Sequence, residues 1–504
     1  MNMSNNKETI LQRSVFASLL FLTLFFVLLT GCGKADPAGA SAAQESPAGA
    51  SAAQESSAEA SAAQEAPASS AVSDPATGNE SDDSANKETA PAGTEAASES
   101  AGSSSGTEPA SNPSDETPAA EGGNQGDAAT DTEDHGTTQT EAGDHGTPLA
   151  EDADQELAAR AESFLSTMSL EDKVSQLLIL TPDQLTGVSG TTLAGENTRA
   201  AYNAMPAGGI ICMSPNLNNT QQTQEFLANL QQFSRNRTGL PLFTFVDEEG
   251  GSVARISGQF AEYPAIQDMA VLGAAGDTAA AEETGRTIGT CLSTLGFTCD
   301  FAPVADVLSN PANQVVRDRS FGSDPALVSQ MACALGRGLE SQGVYAVYKH
   351  FPGHGATADD THNGYAWTGK TLDDLRACEL LPFQAAIDQG AAFIMTAHIS
   401  LPNAAGEDVP ASLSYAMTTQ LLREEMGFDG IVVTDALNMG AVANQYSSAE
   451  AAVKAVEAGA DMLLMPANAA SAREGLLDAV ASGRLTEERV DASVRRILLL
   501  KLQM

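Results

Sequence analysis

The segment from Lys349 to His362 brings three of the chain's six histidines together with Lys349 and Asp360: His350, His354 and His362. Two glycines and a proline interrupt it, and it follows a strand-like run, Val344 to Tyr348. The pattern reads as a loop opening just after a strand, which holds polar side chains where a small molecule can reach them. Asp360 and His362 stand two apart and can hydrogen-bond if the loop bends back. A carboxylate so placed fixes the tautomer of its imidazole and raises its basicity, which suits a general acid and base near neutral pH. His350, His354 and His362 would alternatively suit zinc, although Lys349 beside them repels a cation and no HExxH-type helix is present.

Asp435 closes the apolar run Ile431–Thr434. An acid at the end of a buried strand is expensive unless it is paired, hydrogen-bonded or functional. The competing reading is a cap on the next helix. Asp247, Glu248 and Glu249 follow another apolar run and precede Gly250 and Gly251, where backbone can approach a ligand closely. One acid here suits the hydroxyls of a sugar. Arg319 falls in the loop after a fourth run, either as a ligand or as half of a structural ion pair.

For these groups to meet, distant segments must converge. Eight short apolar runs read as strands: Gln176–Leu180, Gly209–Met213, Leu242–Val246, Thr298–Val304, Val344–Tyr348, Ala392–Thr396, Ile431–Thr434 and Met462–Met465. Helix-like stretches lie between them, among them Thr220–Phe233, Thr278–Leu295, Ala326–Ser341, Leu372–Gln389, Thr418–Met426 and Ala449–Ala458. Ser169 with Asp172 looks like the N-cap pair of the first helix. Strands that are apolar throughout imply a parallel sheet covered on both faces. The fold class predicted is α/β, a (β/α)8 TIM-type barrel preceded by a disordered tether. In such a barrel the chemistry sits just past the strand ends. Asp247, Asp306, Lys349 with His350, His398 and Asp435 follow the third to seventh runs in turn.

Three segments are expected. Residues 1–31 resemble a lipoprotein signal: Lys7 and Arg13 precede the uncharged apolar run Val15–Leu29, which ends on Thr30-Gly31-Cys32. Cys32 would then be lipidated and the chain anchored to the membrane outside the cytoplasm. Residues 32–155 are a low-complexity acidic tract in which PAGASAAQES occurs twice. It has no aromatic residue, cannot bury enough apolar surface to order itself, and should be an extended linker. Residues 156–504 are the barrel domain. The net charge of −41 argues against nucleic acid as a partner. The five remaining cysteines show neither a disulfide framework nor metal spacing. No cofactor or metal is expected, and the chain should act as a monomer.

The motifs resemble those of glycoside hydrolase family 3 β-N-acetylhexosaminidases, the NagZ-like group. KHFPGHG at Lys349 with the following Asp360-Thr361-His362 is the most specific. GGIICMSPN at Gly208, VDEEGGSVAR at Val246, FAPVADV at Phe301, VVRDRSFGSDP at Val315, PASLS at Pro410 and VVTDALNMGA at Val432 stand in order around it. The resemblance implies an N-acetylglucosamine-containing glycan as substrate and hydrolysis with retention. It implies Asp435 as the nucleophile, His362 paired with Asp360 as the acid/base, and Asp247, Arg319, Lys349 and His350 as the groups that grip the sugar. His354 would shape the loop, and His398 stands between a structural and a supporting role. Glu248, Ser252 and Ala356 depart from residues frequent in the family. A phosphorylase or β-glucosidase of the same family, or a sugar-binding lipoprotein without activity, are the alternatives.

Overall fold

The computed structural model describes residues 148–504 apart from 359, 362, 363 and 365. The signal segment, Cys32, the tether up to 147 and His362 lie outside the described residues. Among the described residues ten strands form: β1 (Leu178–Leu180), β2 (Gly209–Ile211), β3 (Phe243–Val246), β4 (Cys299–Asp300), β5 (Tyr345–Phe351), β6 (Ala366–Trp367), β7 (Phe393–Thr396), β8 (Ile399–Ser400), β9 (Ile431–Thr434) and β10 (Leu463–Leu464). Eight of them make one parallel sheet in the order β10-β1-β2-β3-β4-β5-β7-β9. A parallel bridge between Val433 and Met462 joins the two ends, so the sheet closes into a (β/α)8 barrel.

Side chains alternate along the strands and build two cores. Ile179, Phe243, Phe245, Phe301, Phe393, Met395, Ile431 and Val433 point inward and pack with Ile497 of the C-terminal helix Glu487–Lys501. Their neighbours Leu178, Leu180, Ile210, Ile394 and Val432 pack outward against the helices. Both faces are covered, which is why the strands are largely apolar. Phe245 and Phe301 stack at 4.9 Å between ring centres, and Phe393 meets Phe243 edge-on at 5.5 Å.

Helices form where the periodicity places them, but their ends carry corrections. Ser169 does accept from the Asp172 N–H, yet the helix it caps is preceded by another, Pro148–Thr167. The stretch Leu372–Gln389 is two helices, Leu372–Ala377 and Leu381–Asp388, broken at Cys378, with Pro382 opening the second. Ala416–Glu425 winds as a π-helix, closed by the Met426 N–H on the Leu421 carbonyl. β6 and β8 pair as a separate two-stranded sheet that periodicity did not reveal. Cys212, Cys291, Cys299, Cys333 and Cys378 are all free thiols. Among the described residues no helix is long and apolar enough to cross a membrane.

Candidate active site

The strand ends converge on a cavity of about 290 Å³ at the C-terminal mouth of the barrel. Asp247, Glu249, Arg319, Lys349, His350, His354, Thr361 and Asp435 line it on the polar side. Met213, Met439, Leu464 and Met465 are among the apolar residues that complete it.

One correction concerns β5. Lys349 and His350 were read as the start of a loop, but the strand runs on to Phe351. The Lys349 N–H bonds the Pro303 carbonyl at 3.2 Å, and its carbonyl takes the Ala305 N–H at 2.6 Å. The pairing with β7 shifts register between Tyr348 and Phe351, which marks an irregularity in the ladder.

Lys349 is buried, with Nζ 3.0 Å from Asp247 Oδ1 and 2.7 Å from Glu249 Oε1. Arg319 clasps Glu249 from the other side with two bonds of 2.7 Å. Burial opposes the charge on Glu249, but Arg319 and Lys349 outweigh it and hold the carboxyl well below the usual range. Burial likewise opposes the Lys349 ammonium, and Glu249 with Asp247 overcomes it and raises the pKa. All three groups therefore stay charged. Asp247 is half-buried, and Arg255 stands 3.9 Å from its second oxygen.

His350 is fixed from behind by Asp306, with Nδ1 at 2.7 Å from Oδ2 and Nε2 turned toward Arg319 Nη2 at 3.5 Å. Asp306 Oδ1 accepts the backbone N–H groups of His350 at 3.2 Å and His354 at 2.6 Å. One carboxylate thus pins both sides of the turn that follows β5. His354 is buried, its ring nitrogens each 3.3 Å from the hydroxyls of Thr357 and Thr361. Burial and the neighbouring His350 push its pKa down, so it stays neutral and shapes the loop. Among the described residues no three His, Cys, Asp or Glu side chains form a metal-holding group.

Asp435 follows β9 and is half-buried at the cavity. Its Oδ1 accepts the Ala436 N–H at 2.7 Å. Among the described residues Oδ2 has no hydrogen bond. Burial would raise its pKa, but His398, His350, the Ala436 N–H and Lys349 together lower it, so the group is a carboxylate. His398 lies behind it: Nε2 faces the Ala436 carbonyl at 3.0 Å and Nδ1 the Ser412 hydroxyl at 2.7 Å. A carbonyl only accepts, so Nε2 carries the proton and the Ser412 hydroxyl donates to Nδ1. Burial lowers the His398 pKa and keeps the ring neutral.

Asp360 is half-buried and makes a contact of its own, and its neighbour Thr361 lines the cavity. The Thr361 carbonyl takes the Ala441 N–H at 3.2 Å, which docks this segment on the short helix Gly440–Ala443 that follows β9. Asp247, Arg319, Lys349, His350 and Asp435 are thus together, with Asp360 one residue from the wall.

Glu249 and Asp306 are central and were not singled out as site residues. The strand-end position of Asp306 was the available signal. Glu248 is a different case: three backbone N–H groups, of Arg255, Ile256 and Ser257, bond its carboxylate at 2.7–2.9 Å. It folds the loop after β3 and faces away from the cavity wall. Its pKa is nonetheless raised, because burial prevails over those bonds.

A model of the glycosyl hydrolase family 3 N-terminal domain matches residues 169–500. Beta-hexosaminidase A of Pseudoalteromonas piscicida is 36% identical over 319 residues, 58% of this chain and 53% of that protein. Beta-hexosaminidase LpqI of Mycobacterium tuberculosis is 37% identical over 280 residues, 52% of this chain and 68% of that protein. A solved family 3 β-N-acetylglucosaminidase from Paenibacillus sp. str. FPU-7 superposes with a TM-score of 0.63 at 39% identity, over 67% of this chain and 63% of that one. The chain spans about half the length of the first of these relatives.

Proposed function

The chain belongs to glycosyl hydrolase family 3, and from that membership we propose that it is an exo-β-N-acetylhexosaminidase. It removes terminal β-linked N-acetylglucosamine from peptidoglycan fragments or chito-oligosaccharides, with retention of configuration. The observation that carries this reading is Asp435: a lowered-pKa carboxylate with one oxygen held by Ala436 and the other unbonded among the described residues, in the wall of a cavity of sugar size.

Asp435 Oδ2 attacks the anomeric carbon as the leaving oxygen takes a proton from His362, giving a glycosyl ester. His362, again a base and held by Asp360, then takes a proton from water. The resulting oxygen attacks the same carbon and frees Asp435. The second group is an imidazole where most retaining glycosidases use a carboxyl. Lys349, Asp247, Arg319 and His350 hold the sugar, and the buried ion pairs of Lys349 and Arg319 with Glu249 leave little to reorganise during reaction. The apolar run ending at Cys32 supports export and a lipid anchor at that residue.

The test is release of nitrophenol from p-nitrophenyl β-N-acetylglucosaminide in phosphate-free buffer, beside Asp435→Ala. Turnover by the wild type and at least a thousandfold loss in the variant is expected, since a nucleophile is being removed. A folded wild type that acts only when phosphate is added would make it a phosphorylase instead. No turnover under either condition would leave a binding role.

A further inference from the structure

Glu379 is fully buried at the break between the helices Leu372–Ala377 and Leu381–Asp388, and both ends of the segment carrying Asp360 close on it. At the near end stands Gly353, with φ of 134°. A Cβ on Gly353 would lie 2.7 Å from Cβ and from Cγ of Glu379, so the turn can sit against that stem only as glycine. At the far end the Lys370 ammonium is ion-paired with Glu379 Oε1 and lies 3.3 Å from Ser309 Oγ. The Ser309 hydroxyl donates to the same Oε1 at 2.6 Å. Ser309 belongs to the loop after β4, two residues beyond Val307 and three beyond Asp306. One carboxylate oxygen therefore ties the far end of the β5 loop to the β4 loop, while the side-chain stem fixes the near end.

Stability does not explain such a device. A buried carboxylate and its ammonium lose hydration that their attraction only roughly restores, and an apolar pair of similar volume often does as well. Glu379 Oε2, moreover, is buried with no hydrogen-bond partner among the described residues. What the pair supplies is register. Between Gly353 and Lys370 the segment is fastened again by His354 to Thr361, and by Thr361 to Ala441. These bonds hold Thr361, the neighbour of Asp360, at the cavity wall, between the two fixed ends.

We propose that Glu379, through Lys370 and Gly353, is a positioning residue for the acid/base group of this enzyme. It touches no substrate. It sets where the Asp360-bearing segment stands relative to Asp435. The inference rests on the reading of Asp360 and His362 as the acid/base pair.

The experiment compares kcat/KM of full-length wild type, Glu379→Gln, Lys370→Met and His362→Ala on two substrates. One is 2,4-dinitrophenyl β-N-acetylglucosaminide, whose leaving group needs no proton. The other is chitobiose, whose leaving group does. Misplacing an acid by about 1 Å costs up to a hundredfold, so both clamp variants should lose about tenfold or more on chitobiose and less than about twofold on the dinitrophenyl glycoside. The alkaline limb of their pH profiles should move as well. Lys370, part-exposed, keeps the test open if Glu379→Gln does not fold. Equal losses on both substrates, or none on either, would overturn the proposal. If His362→Ala itself shows no contrast between substrates, the acid/base reading fails. If it does and the clamp variants do not, only the clamp fails.

Discussion

Glu249 is the residue on which the binding end of the site turns. It is flanked by the buried Lys349 and the half-buried Arg319, with 2% of its own side chain exposed. Removing one partner of a buried ionic group leaves the others unpaired, which costs roughly 3 kcal/mol or more. Glu249→Gln should therefore lower unfolding stability by about that amount and raise KM at least tenfold. Asp247→Asn, at a side chain 21% exposed, should raise KM with a far smaller loss of stability. Denaturant unfolding with steady-state kinetics reads both. In the sequence Asp247, Glu248 and Glu249 are three consecutive acids with nothing to rank them. The fold separates them: Glu248 returns to its own loop, Glu249 is enclosed between Lys349 and Arg319, and Asp247 meets Lys349 with part of its side chain still exposed. Asp435, by contrast, was legible as a cavity residue because an acid ending a fully buried strand has few structural excuses.

The elements were legible for the same reason and mis-bounded for another. All eight barrel strands lie where apolar runs mark them, because burial on both faces leaves few polar positions to obscure a run. Their ends were misjudged where bonding overrides composition. Lys349 and His350 are polar and look like loop, yet ladder bonds to Pro303 and Ala305 keep them in β5. The pair β6–β8 joins segments too short for any period to show. Gly355 illustrates what spacing cannot reveal. A Cβ there would lie 1.9 Å from the Val307 carbonyl oxygen, backbone that cannot move aside. Gly355→Ala must push the turn off the β4 loop and loosen the grip of Asp306 on His354. Overpacking of this kind costs about 1–3 kcal/mol. The expected result is a lower unfolding midpoint and a fall in kcat larger than that in Asp247→Asn. An unchanged kcat would mean that the two loops move independently.

At the scale of the molecule, the C-terminal helix Glu487–Lys501 closes the barrel bottom. Ile497 joins the inner core, and Lys501 follows it inside with Nζ 2.8 Å from Gln176 Oε1 and 5.2 Å from the Phe243 ring centre. Burial pushes the Lys501 ammonium down to about 7 from its ordinary 10.5. The folded chain thus releases a proton near pH 7 that the unfolded chain keeps until about 10.5. Across that window the unfolded state holds more protons, so this group's contribution to stability rises with pH, and below it the cost of a buried charge is felt in full. Lys501→Met should therefore have its most favourable effect on Tm, relative to wild type, below about pH 7. The difference between the two Tm values should shift against the variant by roughly 5 °C on going to pH 10. A pH-independent difference, measured by thermal unfolding in buffers across that range, would contradict it.

The covalent step tests the account most directly. A slow fluorinated N-acetylglucosaminide, mixed with the full chain and followed by protease digestion and mass spectrometry, should place one sugar on the peptide containing Asp435, with the ester on that side chain. An adduct on another carboxylate, or hydrolysis that inverts the anomeric centre with no adduct, would contradict it.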